Sequence, residues 1–227
     1  MADEVEGLWR TIVEWLHGHA PATAAGIRPP AADWALSEVV AAVGKPLPAD
    51  LQRWWRLTDG MTRGVLNPLI PPIFTPLPLA DGLNIRQFSL SLEEELANED
   101  LDGDEVDESY QVAGAPCYGF HRLFVPIAED HCGETMFVDL RDGPQHGCIG
   151  VWDPESAWDD GVSWEGVADM LTDIRDALVR CEPALVAHAE RRLQHFAGRA
   201  VDATIWRPDV DSTGHLEWIP QEVGTRR

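Results

Sequence analysis

Residues 124–153, FVPIAEDHCGETMFVDLRDGPQHGCIGVWD, decide the fold. Three short apolar runs, 123–128, 135–140 and 148–152, alternate with the segments AEDHCGE and RDGPQHG. Val125, Ile127, Phe137, Val138, Ile149 and Val151 suit a pleated surface, while Gly133, Gly143, Pro144 and Gly147 stand where the chain must reverse. The stretch therefore predicts an antiparallel meander. Met136, Val138 and Leu140 fall on one face of the middle strand and Thr135, Phe137 and Asp139 on the other, so both faces are expected to be at least half covered.

Around this centre, composition sets the bounds. A chain of 227 residues with 44% hydrophobic residues and ten tryptophans can bury a sizeable core and is not a disordered protein. No apolar run approaches the roughly 20 residues of a spanning helix, and the acidic start MADEVEGLWR lacks the features of a secretory signal, so a cytoplasmic protein is expected. Cysteines at 117, 132, 148 and 181 are scattered and fit reduced thiols better than a disulfide framework. Seventeen basic against 39 acidic residues give a net charge of −22. Such a balance disfavours direct binding to nucleic acid or an anionic membrane and favours a basic partner, although solubility alone can produce it.

N-terminal to the meander, Val5, Leu8, Trp9, Ile12 and Leu16 have helical spacing over residues 3–17. The Pro-bearing segment GHAPATAAGIRPPAAD reads as a linker, with His17 and His19 at its start as exposed imidazoles. Asp33 is the expected N-cap of a second helix ending at Gly44, and Pro48 opens a third carrying Leu51, Trp54 and Trp55 before Asp59-Gly60. Adjacent tryptophans point in different directions on a helix, so one is expected in the core and the other either closing a groove or half exposed. Five prolines between 62 and 81 restrict any strand to an edge or a short bridge. LNIRQF reads as a strand, followed by a short helix capped by Ser89 or Ser91, the latter with Glu94 as a capping box.

Ten acidic residues and no Lys or Arg fall between Glu93 and Glu108, −10 of the −22. Asp100, Asp102 and Asp104 have the spacing of a calcium-loop opening, but Glu105 occupies the position that needs glycine and Gln111 the one that needs glutamate. The run is instead a solvated loop or a docking surface. C-terminal to the meander, DPESAWDDGVSW places Trp158 and Trp164 around Asp159 and Asp160, an aromatic and acidic rim. Helices are expected over 165–180 and 183–197, and a hairpin with Ile205 and Trp206 opposite Leu216 and Trp218.

No serine-nucleophile, phosphate-loop or H-E-x-x-H motif is present. The best enzyme-like alternative is a metal site from Cys117 with His121, His131 with Cys132 and His146 with Cys148, but none of these pairs has C-x-x-C spacing. No metal, cofactor or catalytic residue is assigned.

Leu47, Pro48, Leu51, Trp54, Trp55, Asp59 and Gly60, then Pro126, Ile127, Ala128, Gly133, Glu134, Asp139 and Leu140, then Val151, Trp152, Asp153 and Glu155 follow in an order that resembles the SUKH superfamily of Smi/Knr-like proteins. The resemblance covers about residues 33–180, interrupted by a long stretch between Gly60 and Leu123, and Glu134 stands where the family more often has Asp. It implies a non-enzymatic α+β interaction domain. Bacterial members are immunity proteins that neutralise toxin domains, many of them nucleases, and fungal relatives act in cell-wall regulation.

The expected fold is thus α+β, an antiparallel sheet centred on 123–152 packed by N-terminal and C-terminal helices. Residues 1–32 form a helix and linker, 33–199 the main domain with an acidic, Pro-rich insertion at 61–122, and 200–227 a hairpin-like extension. The expected function is protein binding, with a basic toxin domain as partner and a monomer as the favoured state. Partner contacts are expected at Asp102, Asp104, Asp107, Glu108, Glu129, Asp130, Glu134, Trp158, Asp159 and Asp160.

Overall fold

The structure, a computed structural model, describes residues 2–63, 67–99, 112–155, 157–158, 161–195 and 203–223. At its centre β1 (Thr75–Pro76), β2 (Phe124–Glu129), β3 (Thr135–Asp139) and β4 (Ile149–Trp152) pair in that order as one antiparallel sheet. The meander is the one expected, and the proline-rich segment supplies only its two-residue edge strand. Val125 pairs with Val138, and Met136 with Val151. Register shifts between Pro126 and Ala128, and at this irregularity the Ile127 carbonyl accepts the Leu77 N–H at 2.9 Å.

Every residue of β3 is buried, because the sheet separates two cores. Val125, Met136, Val138 and Ile149 face the larger core. Against it lie α1 (Ala2–His19), α3 (Asp33–Val43), α4 (Ala49–Trp55) and α6 (Val167–Arg180), whose apolar stripes follow helical periodicity. α1 packs on both α4 and α6 through Val5, Leu8, Trp9, Ile12 and Leu16. It is part of the core rather than an appendage.

Four local expectations are corrected. Trp54 and Trp55 are both buried, at 1% and 2% exposure. They diverge as helix geometry requires, but α4 is covered on more than one side: Trp9 meets Trp54 edge-on at 6.1 Å, and the chain at 28–31 crosses the helix end, where Ala31 N–H donates to the Trp55 carbonyl. Ala32, not Asp33, is the N-cap residue of α3; Gly44 closes the helix in a left-handed conformation with φ 74°. The supposed linker contains α2 (Pro21–Ala25), with Ala20, Thr23 and Ala24 buried. LNIRQF is not a strand, and Ser91 does not start a helix, because both lie inside α5 (Leu79–Glu99). That helix begins where the Asp59 carboxylate accepts the Leu79 N–H at 2.9 Å, a cap supplied from 20 residues away. α5 lies close on β2, since a Cβ at Gly82 would be 2.8 Å from the Pro126 carbonyl oxygen.

After α7 (Val186–His195), β5 (Ala203–Val210) and β6 (Leu216–Val223) form the expected hairpin in a different register. Val210 pairs with Leu216 and Pro208 with Trp218, so Ile205 and Trp206 meet Gln221 and Pro220 instead. The Asp211 carboxylate sets this register by accepting the N–H groups of Thr213 and His215 and closing the turn at 211–215. The hairpin is fastened to the N-terminal region: Leu216 N–H donates to Thr23 Oγ1 at 2.8 Å, Ala22 N–H to the Gly214 carbonyl at 3.0 Å, and Trp218 Nε1 to the Pro68 carbonyl at 2.9 Å.

The second core lies on the opposite face of the sheet and consists of Cys117, Phe120, Phe124, Phe137, Cys148, Trp152, Trp158 and Val162. Phe124 stacks on Phe137 at 3.8 Å, and Trp158 stands edge-on to both. Within this apolar layer sits an ion pair with no solvent exposure on either side chain, Asp139 with Arg141. Arg141 Nε and Nη2 donate to Asp139, and Nη2 also donates to the Ala115 carbonyl. Asp139 accepts the backbone N–H groups of Gly114 and Arg141 as well. The guanidinium lies 5.1 Å from the Phe124 ring centre and 5.3 Å from that of Trp158. Replacing Arg141 by Met leaves Asp139 a buried, uncompensated charge and is expected to cost about 3–5 kcal/mol in urea unfolding. Asp139→Leu in the Arg141→Met background is expected to cost less than the two single changes summed. Additive costs would show that the two charges are not coupled.

Candidate functional site

The cysteines and histidines of the meander do not assemble into a metal centre. Among the described residues no group of three or more His, Cys, Asp or Glu side chains is placed to hold an ion. Cys148 is inside the second core, where burial first and then the Asp139 carboxylate push its thiol up to about 12. Burial raises Cys117 as well, and its Sγ donates to the Gly119 carbonyl. A protonated thiol is a poor metal ligand and a poor nucleophile. Burial and the neighbouring Arg141 push His121 down to about 4, and its Nδ1 accepts the Leu123 N–H at 3.1 Å.

The turn acids are mostly used internally. Asp130 is buried, and its Oδ1 accepts the N–H groups of Cys132, Gly133 and Glu134 at 2.7, 3.0 and 2.9 Å, closing the loop in which His131 has φ 64°. Glu129 accepts from Arg63 Nη2 at 2.7 Å and is 14% exposed. Trp158 is 1% exposed and occupies the second core rather than a rim; its ring lies on Gly150 and its Nε1 donates to the Gly161 carbonyl. Asp102, Asp104, Asp107, Glu108, Asp159 and Asp160 lie outside the described residues.

Glu134 stands at the lip of a cleft of about 280 Å³ between the sheet, α7 and the C-terminal hairpin. Met136, Val151 and Trp164 line it from the sheet side, Pro71, Pro72 and Phe74 from the edge segment, His188 and Arg192 from α7, and Thr204 and Trp206 from β5. The Pro71–Pro72 peptide bond is cis. α7 is held here because Arg191 Nη2 donates to the Val162 and Ser163 carbonyls. The cleft is near the lower limit of ligand-site size, room for one or two side chains of a partner, with a mixed lining of rings, a carboxylate and a guanidinium. Sequence reasoning missed it, since its walls come from four distant segments and Trp206 was set in another register.

A second surface was also missed. Phe88, Leu92 and Leu96 on α5 are 71%, 37% and 54% exposed, four residues apart on one stripe of the helix. Their spacing in FSLSLEEEL was a readable signal, hidden by the assignment of 83–88 to a strand. Glu94 and Glu95 stand exposed on the same turns, whereas Glu93 turns inward and accepts the Phe120 N–H at 2.7 Å. No helix among the described residues is long and apolar enough to cross a membrane.

The sequence model of the SMI1 / KNR4 family (SUKH-1) matches residues 30–176. The match starts just ahead of α3 and ends within α6, so it includes α4, the meander and the buried ion pair, and leaves α1, α2, α7 and the hairpin outside. Among curated proteins no match was found.

The depressed His121 gives a pH prediction. An unfolded imidazole takes its proton near pH 6.5, whereas the folded one does so only near 4, so the unfolded state binds more protons between these values. His121 therefore favours folding fully above about pH 6.5 and loses that contribution as pH falls towards 4. Urea titrations across this range are expected to show a shallower stability loss for His121→Gln than for the parent chain. Equal slopes would contradict a half-buried imidazole held neutral.

Proposed function

The chain belongs to the SMI1 / KNR4 family (SUKH-1), a family of protein-binding domains, and on that premise we propose that it is an immunity protein that neutralises a bacterial toxin domain by direct binding. The observation that carries the proposal is the net charge of −22, of which −10 is concentrated between Glu93 and Glu108 without one Lys or Arg. A nuclease toxin carries a basic surface to meet phosphate. An acidic inhibitor competes for that surface, and opposite charge accelerates the encounter.

In this proposal the protein acts in the cytoplasm as a monomer, by binding rather than catalysis. The buried, protonated thiols of Cys117 and Cys148 favour that view over metal-dependent chemistry. Asp102, Asp104, Asp107, Glu108, Asp159 and Asp160 are the proposed steering charges, and Glu134 is the member of the turn that lines an open cleft. A scaffold or regulator of the Smi/Knr kind is the second reading. The same fold and cleft serve it equally, and the neighbouring gene separates the two: a long secreted protein with a variable C-terminal domain belongs with immunity.

Co-expression with the toxin encoded alongside is expected to restore growth, and failure of rescue by demonstrably folded protein would remove the immunity role. Changing Asp102, Asp104, Asp107 and Glu108 to Lys is expected to weaken binding about tenfold or more at low salt and to flatten its salt dependence. Unchanged affinity would restrict the acidic run to solubility.

A further inference from the structure

Phe88, Leu92 and Leu96 form an apolar stripe about 12 Å long, given 1.5 Å of rise per helical residue. Its orientation is imposed from the other side of α5. Gly82 is pressed against the Pro126 carbonyl, Ser89 is buried, and Glu93 is bound to the Phe120 N–H, so the helix cannot roll to bring the stripe inward without giving up these contacts. An exposed Phe and two exposed Leu in register on one helix constitute a patch, which scattered surface apolar residues do not.

The surroundings of the stripe define what fits it. Glu94 and Glu95 stand exposed on the same turns, the chain carries −22 overall, and Arg86, the cation nearest the stripe in sequence, donates to the Arg122 carbonyl. A second copy of this chain would bring a further −22 and its own Glu94 and Glu95 against the first, and an anionic membrane would be repelled in the same way. A helix with an apolar face bordered by Lys and Arg satisfies both features, because its apolar side chains cover the stripe and its cations meet the flanking carboxylates. We infer that the outer face of α5, centred on Phe88, Leu92 and Leu96, is the docking face for a basic amphipathic helix of the protein partner. This rests on the protein-binding reading above and adds the surface and the chemistry of its occupant. The apolar stripe supplies affinity and the carboxylates supply orientation and rate.

The probes are two synthetic helical peptides of equal positive charge, one with Leu at i, i+3, i+4 and i+7 among Lys, the other with Ser at those positions. The Leu/Lys peptide is expected to bind about tenfold or more tightly than the Ser/Lys peptide, a difference of about 1.4 kcal/mol. It is expected to shift backbone amide resonances of residues 84–99. Phe88→Ser with Leu92→Ser, both at exposed positions, is expected to abolish that preference while the urea midpoint stays unchanged. Equal affinity for the two peptides, unchanged binding by the double variant, or resonance shifts centred on the cleft by α7 would overturn the inference. So would a dimer in sedimentation that the double variant abolishes, which would make the stripe a contact between copies. The two proposals separate in cells. Rescue retained by the double variant removes the docking face and leaves the immunity role, whereas peptide binding without rescue by the parent chain does the reverse.

Discussion

The Arg141 guanidinium, shut away from water, is the element that the rest of the second core depends on. It is held in three ways at once: by the Asp139 carboxylate, by the Ala115 carbonyl, and by the faces of Phe124 and Trp158. These partners belong to the end of β3, the segment at 112–117, the start of β2 and the loop after β4. One cation thereby ties the bridged segments around Ala115 and Trp158 to the paired ends of β2 and β3, where Phe124 stands opposite Asp139. The desolvation of such a pair offsets much of its attraction, so its main effect is on geometry. A structure in which any of these pieces moved would leave a bare charge in an aromatic layer.

This explains why short, degenerate motifs were enough to identify the fold. Asp139 is the internal anchor of Arg141, Gly133 has φ 123° in the turn closed by Asp130, and Gly60 has φ 69° where a Cβ would fall 2.4 Å from the Leu77 backbone. Asp59 caps α5 and pairs with Arg28. Each motif residue solves a local problem that few other side chains solve, so its spacing was legible without the structure. The meander was legible for a similar reason, since alternating runs between turn residues admit few other structures. What was not legible depended on distant partners. α5 starts at Leu79 because of Asp59, the hairpin register follows from the Asp211 turn, and Trp55 is buried because other segments cover a short helix. Site residues fared similarly. Asp130, Glu129 and Trp158 looked like surface features in one dimension, and only three-dimensional closure shows that the first two bind their own chain and the third fills a core.

The family match and the compact unit are of different extent. α1 and α2 lie before residue 30, and α7 and the hairpin lie after 176, yet Val5, Ile12, Leu16, Leu216 and Trp218 belong to the same core as the matched helices. The flanking elements also fasten to each other through Thr23, Leu216, Ala22 and Gly214. They complete the walls of the cleft, to which α7 and β5 contribute His188, Arg192, Thr204 and Trp206. The matched region thus includes the sheet, its ion pair and α5, while α7 and the hairpin, which lie outside it, supply much of the wall of the cleft.

Gly150 and Trp158 make one further point. A Cβ at Gly150 would sit 2.6 Å from the indole, and that indole is also one face of the Arg141 pocket. The two positions are therefore sterically coupled. A side chain at 150 is admissible only in a lineage that has already traded the indole at 158 for something smaller, and that trade removes a wall from the buried cation. Steric room at 150 thus reaches the Asp139–Arg141 pair by way of the indole.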